Sequence, residues 1–256
     1  MKKTYLSLLF TFIFLGTLFA QKDAAQPAGE LFKPSVLIEL FSSEGCGSCP
    51  IADDFMREII EISDSNKMPV YVLDYHVVIW NRSGWVDPFS DSAYSLRQQN
   101  YVFKKHLPAL YTPMAFINGS EKDYAGSDKK SIGMKIQETL SKPSKHFMRC
   151  GVTPAENEDS IVVGYKIWGN IDSTNLNVVL VQKRINNMVT AGENKDKILH
   201  HHNVARKMIS IPLKEKQGIV KMGIKRDFNL ENFRLLVFIQ HQRTYEVFTT
   251  DQLSFD

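Results

Sequence analysis

Cys46 and Cys49 are the residues of this chain best suited to chemistry, spaced as C-x-x-C by Gly47 and Ser48 and followed by Pro50. Such a pair is half of a zinc site or a reversible disulfide. Zinc needs about four ligands, and no second C-x-x-C occurs, so the spacing favours redox chemistry. The surroundings sharpen this. Val36-Leu37-Ile38-Glu39-Leu40-Phe41 reads as a buried strand and Ser42-Ser43-Glu44-Gly45 as a turn. Ile51, Phe55, Ile59 and Ile62 then recur at helical spacing. The pair therefore opens a helix, whose partial positive charge and free N–H groups favour a thiolate at Cys46. Asp53 and Asp54 are expected to suit the same helix end. Cys49, about one turn in, can attack a mixed disulfide on Cys46. This order predicts an accessible Cys46 and a buried Cys49. An inert structural disulfide is the weaker reading, because so short a loop adds little stability. Cys150 stands alone and reads as a small buried apolar residue.

The elements that must position the pair follow in order. Residues 69–75 read as a second buried strand and 90–106 as a helix. Met114-Ala115-Phe116-Ile117 is a third strand, preceded by Thr112-Pro113. Residues 122–125 form a short partner strand, and Ser127 or Asp128 caps a last helix to Leu140. Between the second strand and its helix lies an aromatic stretch with His76, Trp80 and Trp85. It either packs against the sheet or lines a groove for an extended polypeptide. Glu39 interrupts its apolar strand, and a buried carboxyl is rare unless paired, hydrogen-bonded or used.

This β-α-β-α-β-β-α order resembles thioredoxin. A closer resemblance is to a secreted thioredoxin-like family, domain of unknown function 1223. It is carried by residues 39–50, His76-Val77, Trp80, Gly84-Trp85, Asp87-Pro88-Phe89, Arg97-Gln98, Tyr101 and Tyr111-Thr112-Pro113, then by Gly192-Glu193-Asn194, His201, Asn203 and Arg206. The chain departs from the family at His76-Val77-Val78-Ile79-Trp80-Asn81, where two acids usual in the family are missing. The resemblance implies a cis Thr112–Pro113 bond facing the cysteines, with Thr112 backbone free to pair with substrate. It also implies that Glu39 is the buried proton acceptor for Cys49; the alternative is a salt bridge to a lysine such as Lys33, or a bond to the aromatic stretch. Catalytic expectations thus fall on Cys46, Cys49, Pro113 and Glu39, and substrate contacts on Thr112, His76, Trp80 and Trp85.

Beyond the linker-like Lys142-Pro143-Ser144-Lys145, short β-type runs follow one another to residue 249. Their spacing predicts an antiparallel β-sandwich. The expected architecture is an α/β thioredoxin-like domain at 35–143, with its aromatic insertion at 76–106, followed by an all-β sandwich domain at 144–256. Glu193, His201, Asn203 and Arg206 are expected to form a polar network, with Arg206 pairing Glu193. His200 and His202 share one face of a strand, but no firm third ligand accompanies them, so neither metal nor cofactor is expected.

The chain has 256 residues and a net charge of +3, two charges of which are Lys2 and Lys3. That balance calls for no nucleic acid. Lys2, Lys3, the apolar stretch 5–19 and Ala20 read as a secretory signal peptide over 1–20, with a linker at 21–34. The apolar stretch, about fifteen residues, falls short of the roughly twenty a membrane span needs, so no stable anchor is expected. The protein is read as an exported, periplasmic or secreted thiol–disulfide oxidoreductase. It would reduce, form or isomerise disulfides in cysteine-containing envelope proteins or a thiol redox partner. The competing readings are a non-catalytic envelope binding protein and a copper-handling protein using Cys46, Cys49 and His76.

Overall fold

A computed structural model describes residues 31–82, 84–154, 159–224 and 229–255. The expected signal peptide lies outside the described residues, as does most of the expected linker.

Strand β1 (Val36–Ser42) is buried at every position. It pairs in parallel with β2 (Val70–His76) and antiparallel with β3 (Met114–Ile117), which β4 (Tyr124–Ala125) extends. Alternation along these strands sorts their side chains onto two faces. Ile38, Leu40, Val72 and Ala115 pack against Phe55, Met56 and Ile59 of α1 (Cys49–Asn66) and Ile132 of α3 (Lys129–Leu140). On the other face, Leu37, Phe41, Leu73, Tyr75 and Phe116 meet Tyr94 and Tyr101 of α2 (Ser92–Lys104). Asp91 and Asp128 cap α2 and α3 by accepting hydrogen bonds from Ala93 N and Ser131 N.

The second half adds β5 (Phe147–Pro154), β6 (Ser160–Trp168), β7 (Thr174–Met188), β8 (Ile198–Pro212), β9 (Gln217–Gly223), β10 (Phe233–His241) and β11 (Val247–Ser254). Here the expected fold is corrected. A thioredoxin-like domain followed by a self-contained sandwich is not formed. Instead one mixed eight-stranded sheet runs β11-β10-β7-β8-β2-β1-β3-β4 through both halves of the chain. Strand β8 joins β2 in parallel, with Asp74 opposite Val204, and so covers an edge that β2 would otherwise leave unpaired. Among the described residues, β5, β6 and β9 stand apart, as an antiparallel three-stranded sheet. They pack Ile161, Val163, Ile167 and Met222 onto Val178, Leu180, Leu235 and Val237 of the large sheet. Cys150 sits in that layer, buried and unpaired, its pKa pushed well up by burial and by the charge of Asp251. No helix among the described residues is long and apolar enough to cross a membrane.

Glu39 lies on the α2 face, opposite to α1. It accepts a hydrogen bond from Arg97 Nε at 2.6 Å and another from Tyr101 Oη. The Arg97 guanidinium is stacked among the rings of Tyr75, Tyr101, Phe238 and Tyr245 and also donates to Gln240 Oε1 at 3.0 Å. This pair therefore ties α2 to β1 and to β10. Arg97→Ala would leave Glu39 buried without a counter-charge. Denaturant unfolding should show a loss of about 3–5 kcal/mol, with the Cys46–Cys49 reduction potential unchanged; a loss under about 1 kcal/mol would show that the pair does not support the fold.

Candidate redox site

Cys46 and Cys49 are joined as a disulfide at the start of α1. Cys49 is the first residue of the helix, and Pro50 follows in the first turn, where a missing N–H is harmless. Both cysteines are only 1% exposed, which corrects the expectation of an accessible Cys46. Three features close over it. Trp80 packs so tightly on Gly45 that a Cβ there would come within 2.7 Å of Trp80 Cβ. Thr112 brings its carbonyl oxygen to 3.7 Å from Cys46 Sγ. The segment 189–197, which links β7 to β8, clasps the cysteine turn: Asn194 Nδ2 donates to the carbonyls of Glu44 and Cys46, both at 2.9 Å. Beside the disulfide, Gly47 and Ser48 are exposed and Trp80 and Thr112 are half-buried.

The carboxyl at the helix start does not come from Asp53 or Asp54, since the first turn of α1 holds no acid. It comes from Glu193, whose Oε2 accepts from Gly47 N at 2.8 Å. Gly47 permits this approach, because a Cβ there would lie 2.4 Å from that oxygen. Arg206 does not pair Glu193 as expected. It donates to Gln182 Oε1 at 2.7 Å and lies over the Phe89 ring.

Next to the cysteine turn, on the α1 face of the sheet, is a buried polar network. Glu44 is its hub: its carboxyl accepts from Trp85 Nε1 at 2.9 Å and from Asn187 Nδ2, and His201 Nε2 lies 3.1 Å from Oε1. The Glu44 backbone N–H donates to Asp87 Oδ2 at 2.8 Å. Asp87 also holds His76 Nδ1 at 2.7 Å, and Asp74 stands 3.2 Å from His76 Nε2. The other ring nitrogen of His201 meets Asp53 Oδ2 at 3.1 Å, and the two imidazoles lie edge to face at 4.7 Å. Burial pulls the His76 pKa down, but the charges and hydrogen bonds of Asp74 and Asp87 outweigh it and leave the ring well above its ordinary value. His201 is likewise lifted, to about 9, because its bonds to Asp53 and Glu44 exceed the cost of burial. Burial raises Asp53 to about 6, a rise the His201 bond reduces. For Asp87 burial pushes upward, and His76 reverses it to a net lowering.

Of the expected site residues, the structure brings Cys46, Cys49, Thr112, Trp80 and Pro113 together. The Thr112–Pro113 bond is cis, and Trp80 Nε1 donates to Thr112 Oγ1 at 2.7 Å. Trp85 and His76 instead serve the buried network. Both ring nitrogens of His76 are held by carboxyls, so it lines no groove. Glu39 is not brought to the sulfurs, because Ile38 and Leu40 face α1 and Glu39 between them faces α2. His201 joins the network, whereas Asn203, held at φ 52, donates to Val72 O at 3.1 Å. Glu44, Asp53, Asp74, Asp87, Asn187 and Asn194 are the site residues that sequence reasoning did not place in the site. Asp74 carried a signal, since it interrupts the apolar β2 as Glu39 interrupts β1. A groove of about 1260 Å³ runs beside α3 and His146 and is lined by none of these side chains.

Comparison with known proteins gives a family and a fold. The sequence pattern described as "Protein of unknown function (DUF1223)" matches residues 37–240. No curated protein matches the chain. Among solved structures, the protein AGR_C_4864 from Agrobacterium tumefaciens is similar with a TM-score of 0.67 at 20% identity, covering 90% of this chain and 97% of that one. A domain of the outer membrane lipoprotein Omp28 from Porphyromonas gingivalis reaches a TM-score of 0.28 at 13% identity, covering 43% of this chain and 95% of its own.

The Glu193 carboxylate opposes negative charge at Cys46. Glu193→Gln keeps an acceptor for Gly47 N and removes the charge, so the reduced state should gain. Equilibration against glutathione should show the reduction potential rising by ~10–30 mV, more at low salt than at high salt. Gly47→Ala, which evicts the Glu193 side chain, should move it the same way. An unchanged or lower potential in both variants would mean that Glu193 only shapes the loop.

Proposed function

The chain belongs to the DUF1223 family, and within that family's fold we propose that it acts as an exported thiol–disulfide oxidoreductase on cysteine-containing envelope proteins or a thiol redox partner. The observation that carries this reading is a disulfide closed at a helix N-terminus, with Thr112 O beside Cys46 Sγ and a polar network packed behind it. A disulfide three residues apart contributes little to fold stability, so its retention in so elaborate a setting is better explained by exchange. The order of Lys2, Lys3, the apolar residues 5–19 and Ala20 supports export, into a compartment where disulfides persist.

In the reducing direction, the Cys46 thiolate attacks one sulfur of a substrate disulfide. A Cys46–substrate bond forms as the substrate S–S bond breaks, and the other substrate sulfur leaves as thiolate. Cys49 then loses its proton and attacks Cys46 Sγ. The Cys46–Cys49 bond forms, the mixed disulfide breaks, and the substrate departs with both sulfurs reduced. Run backward, the same steps oxidise a substrate dithiol. Cys46 is the attacking residue because it sits outside the helix beside Ser48 Oγ at 3.5 Å and Thr112, whereas Cys49 is built into the first turn. Partner contact falls on the exposed Gly47 and Ser48 and the half-buried Thr112 and Trp80. Movement of Trp80 or of segment 189–197 must accompany it, given the burial of both sulfurs.

The test is trapping. Cys49→Ser should accumulate mixed disulfides through Cys46 with envelope proteins, visible on non-reducing gels and reversed by dithiothreitol. Cys46→Ser should accumulate none, and Cys150→Ser should leave exchange intact. Equal trapping by both single variants, or none by Cys49→Ser, would overturn the assignment.

A further inference from the structure

We propose that Asp74, His76 and His201 form a binding site for a divalent transition-metal cation of the Zn²⁺ class, a site that does not depend on the redox state of the cysteines. One donor atom from each residue lies within 4.8 Å of the others, and all three side chains are buried. A cation centred among them reaches its usual donor distances of about 2.0–2.2 Å with side-chain shifts below about 1 Å. Two imidazoles and a carboxylate are a donor set that such ions favour.

The surroundings match what a metal site requires beyond its ligands. A ligating histidine is generally oriented by a carboxylate on its other nitrogen. His76 has this from Asp87, at 2.7 Å on Nδ1, while its Nε2 faces Asp74. For His201, whichever nitrogen turns to the ion, a carboxyl stands 3.1 Å from the other, Asp53 on one side and Glu44 on the opposite side. Asp74 uses Oδ2 toward His76 and accepts from Ser42 Oγ on Oδ1 at 2.5 Å. An independent sign is Asp53: it is buried, and its Oδ1 has no hydrogen-bond partner among the described residues. It stands against His201 Nδ1, next to the three clustered residues and not one of them. The sequence pointed away from this site because it grouped His200 with His202. Those two do share a face, and the residue between them turns inward to meet His76 from β2.

The experiment uses the full chain with its disulfide intact, so that no thiolate competes. After chelator treatment and desalting, the protein is offered Zn²⁺, desalted again, and its metal content measured. About one equivalent should be retained, and the thermal midpoint should rise by ~5–10 °C at a free Zn²⁺ of about a hundred times Kd. Co²⁺ in its place should give visible absorption of a nitrogen and oxygen site without thiolate charge transfer. Asp74→Asn and His201→Gln, both close in shape to the parent residues, should lose the bound metal; His200→Ala and His202→Ala should keep it. If the parent retains no metal and shows neither shift nor spectrum, the cluster is a hydrogen-bonded network only and the proposal is wrong, whether or not the variants fold. It is equally wrong if folded Asp74→Asn binds as the parent does, or if His200→Ala or His202→Ala abolishes binding.

Discussion

The burial of Glu44, two residues before Cys46, is the constraint around which this molecule is arranged. A carboxyl removed from water costs several kcal/mol unless other groups satisfy it. Here Trp85, Asn187 and His201 do so, and each comes from a different part of the chain. His201 and Asn187 sit on the paired strands β7 and β8, so the second half of the sequence must reach back to the cysteine turn. That requirement accounts for β8 lying beside β2 and for one sheet running through both halves. Near that junction β7 and β8 shift register between Leu180 and Val181, and a bulge of this kind re-aims side chains. Between the exposed His200 and the half-buried His202, His201 turns inward to meet His76.

The same geometry makes the link between β7 and β8 part of the site. Residues 189–197 carry Glu193 to the amide of Gly47 and Asn194 to the carbonyls of Glu44 and Cys46. The cysteine turn is thus held from three directions: by α1, by the aromatic stretch through Trp80 and Trp85, and by this clasp. The disulfide is buried as a result, and access to it becomes a question of which of these elements yields. Glu39, which looks from sequence like the acid of the site, instead belongs to a separate task. With Arg97 and Tyr101 it fastens α2 to the far face of the sheet, well supplied with hydrogen bonds and ring contacts of its own.

Much of the local structure was legible because it rests on local signals. The apolar run before Cys46, the helical spacing after it and the cap at Asp128 each predict an element that is present. The strands of the second half were also legible, as alternation and apolar runs. Their partners were not legible. Alternation marks a strand's two faces but is silent on which distant edge it will join, and β8 could pair with β2 only once Asp74 and Val204, 130 positions apart, met. The face of Glu39 follows from strict alternation with Ile38 and Leu40. Its partner Arg97 was visible only as a residue carrying the family resemblance. The buried carboxyls escaped notice for a related reason: Asp53 among other helix acids looks solvated until His201 arrives from elsewhere.

The account stands or falls on whether Cys46–Cys49 is a working redox couple or a staple. The direct measurement is its reduction potential, read by equilibrating the protein in glutathione or dithiothreitol buffers, with Trp80 and Trp85 fluorescence and thiol mass tagging as independent readouts. The account predicts a reversible two-electron transition at about −120 to −270 mV, the range of dithiol enzymes, with the fold retained on both sides. A potential below about −300 mV, as structural disulfides show, or reduction that occurs only with unfolding, would contradict it.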